Sequence, residues 1–328
     1  MKKRFMAILA GIIACVMCFA FTACGTNSGD NGSANGTTSE STNGTTSEST
    51  NGTTSESTND TDSTVAPEKN ILVVMREASS GTREAFDKYV NLSAKDVIDT
   101  SEEFSSTGVV RTQVAANATA IGYISLASVD DSVKALKVEG VEPTVSNVRD
   151  GKYKIQRPFL LLTNKNVKLT AAAQDFFNYC MSKTAENGIL ADGGITTPDF
   201  DTRSEYTVPT VALSGKVSLK GSTSMEKMIQ KLVADYQALC GDKVKDVKFD
   251  YDFPGSSGGR TAAKNDTEGT VIGLASSSKP NEAYTETTLC LDAVAIIVNK
   301  ANDKIDGVNA QILHDIYTGK IKKFSEIK

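Results

Sequence analysis

The body of this 328-residue chain is predicted to be an α/β structure. Strand-like and helix-like stretches alternate from residue 70 onward, and the helix-like ones repeat apolar residues at three- and four-residue steps. In addition, three strands run directly into turns of hydroxyls and glycines that open helices. Strands are expected at 71–75, 120–126, 153–163, 216–219, 247–253, 271–275 and 293–299, with helices between them. The clearest helix is 224–240: Met225, Met228, Ile229, Leu232, Val233, Tyr236 and Leu239 share one face, and Gly241 supplies the stop. Helices are also expected at 170–183, around Phe176, Phe177 and Cys180, and at 309–318, ended by Gly319. The Gly-, Pro- and Thr-rich stretch 191–212 has little periodicity and makes the best internal boundary.

The first 69 residues belong to no core. Lys2-Lys3-Arg4 is followed by an apolar run from 5 to 23, and Phe21-Thr22-Ala23-Cys24 closes it in the manner of a bacterial lipoprotein signal. Residues 1–24 are therefore expected to be a signal with Cys24 as the lipidation site. An uncleaved membrane anchor is the alternative, because about 18 apolar residues just span a bilayer. Either reading leaves the body outside the cytoplasm, held to the cell membrane. Residues 25–69 contain NGTTSEST three times, at 35–42, 43–50 and 51–58. With no apolar residues to bury, this Ser/Thr/Gly/Asn-rich tether is expected to be disordered, reaching roughly 35–40 Å.

Seven acids and four bases fall up to Lys69, leaving 33 acids and 31 bases in the body. That near-neutral balance argues against nucleic acid as a partner. Of six cysteines, Cys180, Cys240 and Cys290 remain in the body, without metal-ligand spacing, and read as buried small hydrophobes. No cofactor and no metal is expected.

The three turns are REASSGTREAF (76–86), KGSTSMEK (220–227) and FPGSSGGRTAAKN (253–265). One such turn is ordinarily a helix cap, since Ser and Thr oxygens accept from the first N–H groups of a helix. Three of them, each at the carboxyl end of a strand, suggest converging donors where α/β sheets bind ligands. Arg76 adds a planar fork suited to a tetrahedral oxyanion. With no aromatic platform nearby, the ligand is expected to be phosphate-sized rather than a nucleotide.

These segments resemble the phosphate-binding proteins of bacterial phosphate ABC transporters, which are periplasmic-type solute-binding proteins. The likeness rests on REASSGTR (76–83), AIGYISL (120–126), GSTS (221–224), GSSGG (255–259), IGLAS (272–276), DAVAIIVN (292–299) and IYTGKIKKFSEI (316–327), and covers nearly all of 70–328. It implies a two-lobed, type II periplasmic-binding-protein-like fold that closes on inorganic phosphate and delivers it to an ABC permease. The order differs from the family's: the segments that come second there come first here, so the chain looks circularly permuted, with the old termini joined through 191–212. A truncated tandem protein or a misjoined gene are the alternatives. Under permutation one lobe comprises 70–163 plus 289–328 and the other 164–288.

Carried over residue by residue, the resemblance implies that phosphate is bound by Arg76, Ser80, Gly81 and Thr82 on one wall, Thr223 and Ser224 on a second, and Ser256 on a third. In part of the family an aspartate after the strand matching 271–275 accepts the ligand's proton. Here Ser276 and Ser277 stand there, and Asp292 is the substitute acceptor. A hydrolase needs a nucleophile with a base, yet the one histidine, His314, sits in an apolar helix pattern, so no catalytic residue is expected. A sensor or adhesin lipoprotein on the same scaffold is the other alternative to a carrier.

Overall fold

The chain enters its first strand through the apolar run after residue 70, buried because helices cover both of its faces. The structure, a computed structural model, describes residues 68–328; the expected signal, Cys24 and most of the tether lie outside the described residues. In chain order the elements are β1 (Leu72–Arg76), α1 (Gly81–Val90), β2 (Glu102–Phe104), α2 (Thr107–Ala116), β3 (Ala120–Ser125), β4 (Val133–Ala135), β5 (Lys137–Val138) and α3 (Val145–Arg149). The long strand β6 (Gln156–Asn164) leads to α4 (Ala171–Cys180) and α5 (Glu186–Ala191). Then follow β7 (Ser214–Gly221), α6 (Glu226–Cys240), β8 (Asp246–Asp252), α7 (Ser256–Asn265), β9 (Val271–Ala275), β10 (Tyr284–Asn299), β11 (Gly307–Val308) and α8 (Ala310–Tyr317).

The main sheet runs β2-β1-β3-β10-β6-β9-β7-β8, with β4 also on β10. Pairing is parallel where helices make the crossovers, in β1 with β2 and β3 and in β7 with β8 and β9, and antiparallel around β10. β10 joins the two parts: Tyr284–Ala293 pair with β6, and Val294–Asn299 pair with β3 and β4.

The apolar side chains divide accordingly. One cluster gathers Phe159, Phe176, Tyr236, Leu219 and Ile229; another gathers Val73, Phe86, Tyr123, Ile296 and Tyr317. In the second, Phe86 stacks on Tyr123 with ring centroids 4.1 Å apart. Each fully buried side chain of this size contributes about 1.5–3 kcal/mol. Cys180, Cys240 and Cys290 are free thiols buried among these side chains.

Several boundaries depart from expectation. The expected strand at 293–299 begins at Tyr284, because polar Thr285–Thr288 still find ladder partners in β6. The expected strand at 153–163 starts only at Gln156; Tyr153 instead packs in the core and donates its hydroxyl to the Val294 carbonyl. The helix expected from 224 starts at Glu226 behind Met225, with no side-chain cap. The hydroxyls of Ser222, Thr223 and Ser224 are therefore not spent on capping, a fact that matters for the site. α2 and β2 carry too little periodicity to be expected from sequence. No helix among the described residues is long and apolar enough to cross a membrane.

Candidate functional site

Each hydroxyl turn ends a strand of the sheet, so the three turns meet where β1, β7 and the β8–α7 link finish. Gly255 makes the third possible: its φ of 90° is open to glycine and strained for other residues. The Gly255 N–H also donates to the Gly221 carbonyl at 2.9 Å, tying the second turn to the third.

Arg76 closes β1 and is 1 % exposed. Its guanidinium donates to Thr223 Oγ1 at 3.0 Å and to Thr107 Oγ1 at 2.9 Å, joining residues 147 and 31 positions apart. Glu77 holds it bidentately, both contacts at 2.9 Å. Thr82 Oγ1 and Ser224 Oγ lie 3.0 Å apart, and Ser224 Oγ and Thr107 Oγ1 3.2 Å apart. Ser256 Oγ lies 3.3 Å from Ser276 Oγ and accepts the Ser276 N–H at 3.0 Å. Gly81 packs against this wall so tightly that a side chain there would collide with Ser256 and Ser276. Arg76, Gly81, Thr82, Thr223, Ser224 and Ser256 thus come together in one buried cluster.

Two of the expected residues stand differently. Ser80 accepts from the Thr82 and Arg83 N–H groups, so its oxygen caps α1. Asp292 is fully buried on β10, behind the hydroxyls. Its Oδ2 accepts from Arg157 at 2.8 and 3.0 Å and from Ser125 Oγ at 2.9 Å, and its Oδ1 accepts from the Ala127 N–H at 3.4 Å. Asp292 therefore reaches the cluster through Arg157, since both of its oxygens are engaged within the fold.

Arg157 is the residue that sequence reasoning missed. Its Nη1 donates to Thr82 Oγ1 at 2.8 Å and to Ser276 Oγ at 3.2 Å, and its Nη2 to Ser224 Oγ at 3.2 Å. Burial lowers the pKa of its guanidinium while Asp292 pulls it back up, and arginine remains a cation at neutral pH. The signal was present as an arginine inside an otherwise apolar strand, Arg157-Pro158-Phe159-Leu160. Thr107 and Ser222 were missed as well; Ser222 Oγ donates to Ser276 Oγ at 3.0 Å. A third guanidinium, Arg260 on α7, grips Glu84 on α1 at 2.9 and 3.0 Å and donates to Ser277 Oγ at 2.6 Å. Each arginine has its own carboxylate, so the cluster offers directed N–H and O–H donors with little net charge.

The single histidine is elsewhere engaged: His314 Nδ1 lies 3.0 Å from the Val90 carbonyl. Among the described residues no group of His, Cys, Asp and Glu could hold a metal ion.

A family model described as a PBP superfamily domain matches residues 2–184 and 207–326. The phosphate-binding protein PstS 2 of Streptococcus pneumoniae TIGR4 is 34% identical over 268 residues, covering 79% of this chain and 88% of that one. The phosphate-binding protein PstS of Bacillus subtilis is 34% identical over 128 residues, 39% of this chain and 41% of its own. The crystal structure of a phosphate ABC transporter's phosphate-binding protein from S. pneumoniae TIGR4 matches with a TM-score of 0.62 and 34% identity, covering 79% of this chain and all of that one. The chain belongs to the PBP superfamily and, within it, to the family of phosphate-binding proteins represented by the streptococcal PstS 2, with that family's two-lobed α/β fold.

Proposed function

We propose that this protein captures inorganic phosphate between two lobes, outside the cytoplasm, and presents it to an ABC permease, held to the membrane by lipid on Cys24. The observation that carries the reading is the 3.0 Å contact between the Arg76 guanidinium and Thr223 Oγ1, which brings donors from distant turns to one point. Thr82 and Ser224, in contact with each other, and Ser256, in contact with Ser276, complete a wall of hydroxyls. A tetrahedral oxyanion entering among them takes over these donors, with the guanidinium groups of Arg76 and Arg157 on either side.

We read the lobes as 70–163 plus 289–328 and 164–288; the two apolar clusters follow this division except near the passages in β6 and β10, where Phe159, Leu161, Leu289 and Cys290 pack with the second lobe and Ile195 packs with the first. Closure is of the hinge kind, because the ligand contacts donors of both lobes only in the shut state. Such a protein binds and releases its ligand without chemistry. We read the swapped order as a permutation. An order unique to this chain would have aligned with only half of PstS 2, whereas the match spans 88% of that protein. The B. subtilis match, confined to 41% of its length, is what two differently ordered chains give.

Isothermal titration of the purified chain with phosphate tests the reading. Saturable one-to-one binding at micromolar affinity or tighter, about −8 kcal/mol or more, is expected. The absence of saturable heat would overturn it.

A further inference from the structure

A cleft of about 710 Å³ lies beside the hydroxyl cluster and shares Arg157 and Ser277 with it. Three exposed lysines line it, Lys88 on α1, Lys154 before β6 and Lys279 after β9. They come from three distant parts of the chain, and none forms an ion pair with a described carboxylate.

The nearby acids are already engaged. Glu84 is held by Arg260 and Ser277. Glu139 accepts from the Tyr89 hydroxyl at 3.1 Å and the Ala310 N–H at 3.3 Å. Glu286 accepts from Ser278 Oγ at 2.7 Å and the Lys279 N–H at 2.9 Å. Asp292 is matched by Arg157. With Glu84 and Asp292 matched by arginines, the three lysines outnumber the two flanking carboxylates that keep their charge, Glu139 and Glu286, so the cleft carries a small excess of positive charge on a body whose overall balance is slightly acidic.

We propose that this cleft is a second, solvated anion site: an antechamber in which Lys88, Lys154 and Lys279 collect inorganic phosphate before Arg157 and Ser277 pass it to the buried hydroxyls. The proposal rests on the phosphate reading above. Lysine suits the task, being a mobile, strongly hydrated point charge that attracts an oxyanion without fixing it, whereas the planar guanidinium of Arg157 orients it. Low-dielectric walls focus such a field and raise the local concentration of the ligand, an effect that salt suppresses.

The test is phosphate titration calorimetry at about 20 mM and about 200 mM ionic strength, where screening differs severalfold. The wild-type chain is compared with Lys88→Gln/Lys154→Gln/Lys279→Gln and with a control of equal charge change, Lys245→Gln/Lys248→Gln/Lys300→Gln. All six positions are exposed, so folding is preserved and is checked by thermal unfolding. The cleft variant should bind about tenfold more weakly than wild type at low salt and approach it at high salt. The control should stay within about twofold at both. Equal behaviour of the two triple variants overturns the proposal while leaving the phosphate reading intact; a wild-type chain that binds no phosphate overturns both.

Discussion

The buried pair of Arg157 and Asp292 allows a sharp test of how the site is held. Replacing Asp292 by Asn preserves shape and removes one charge. Its fully buried carboxylate takes two guanidinium bonds and one hydroxyl bond on a single oxygen, so the substitution leaves Arg157 as a cation away from water with no counter-charge. Breaking a buried pair from one side costs about 3–5 kcal/mol. That is a large share of the ~5–15 kcal/mol that stabilises a typical domain. Urea unfolding should show a lower midpoint with an unchanged slope, the product of the two giving a stability loss of that size. The double variant Arg157→Met/Asp292→Leu removes both charges and should recover at least half the loss, while binding phosphate far more weakly because donors to Thr82, Ser224 and Ser276 are gone. Phosphate should also protect Asp292→Asn more than wild type, since the oxyanion supplies the missing counter-charge. A loss below about 1 kcal/mol for Asp292→Asn, or a double variant no more stable than the single one, would refute the reasoning.

Gly81→Ala puts a methyl 2.7 Å from Ser276 Oγ and into Ser256 Oγ, so phosphate affinity should fall by at least tenfold in calorimetry although alanine favours the helix. The Tyr206 hydroxyl donates to Asp175 at 2.6 Å and pins the 191–212 connection to α4; Tyr206→Phe should lower stability by about 1 kcal/mol in urea, Asp175 keeping its bond from Tyr236 at 2.7 Å. Asp87, raised by burial from 3.8 to about 6 against the pull of Arg83, is a carboxyl whose folded form prefers the proton. Its contribution to stability is thus full below pH ~4 and declines as pH rises to about 6. Because the side chain is partly solvated, the effect is on the order of 1 kcal/mol. Asp87→Asn should match wild type near pH 4 and melt a few degrees higher at pH 7.

The strand–turn–helix order was legible because it depends on local chemistry: apolar runs, glycines and hydroxyls in fixed succession. That the turns stand at strand ends with free donors was legible too; that they meet around Arg76 was not, since β1 and β7 run in opposite directions and are joined through the antiparallel β10, β6 and β9. Arg157 was illegible as well. An arginine opening an apolar strand is only a weak local signal, and what gives it meaning, its partner Asp292, is 135 residues away on an antiparallel neighbour. The same pairing explains why Asp292 reads in sequence as a candidate ligand acceptor and stands in the fold as the support of a guanidinium. Helix α6 was expected two residues early, because Ser222, Thr223 and Ser224 look like caps; tertiary contacts with Ser276, Arg76, Thr82 and Arg157 hold their hydroxyls instead.

The most direct test of the account is where the anion sits. Crystals grown with arsenate, a phosphate-sized oxyanion, give an arsenic anomalous peak. The account places it within about 4 Å of the Arg76 guanidinium and of the hydroxyls of Thr82, Thr223 and Ser256, a distance at which a tetrahedral oxygen forms hydrogen bonds to each. A peak confined to some other part of the fold, or none at saturating arsenate, would contradict it.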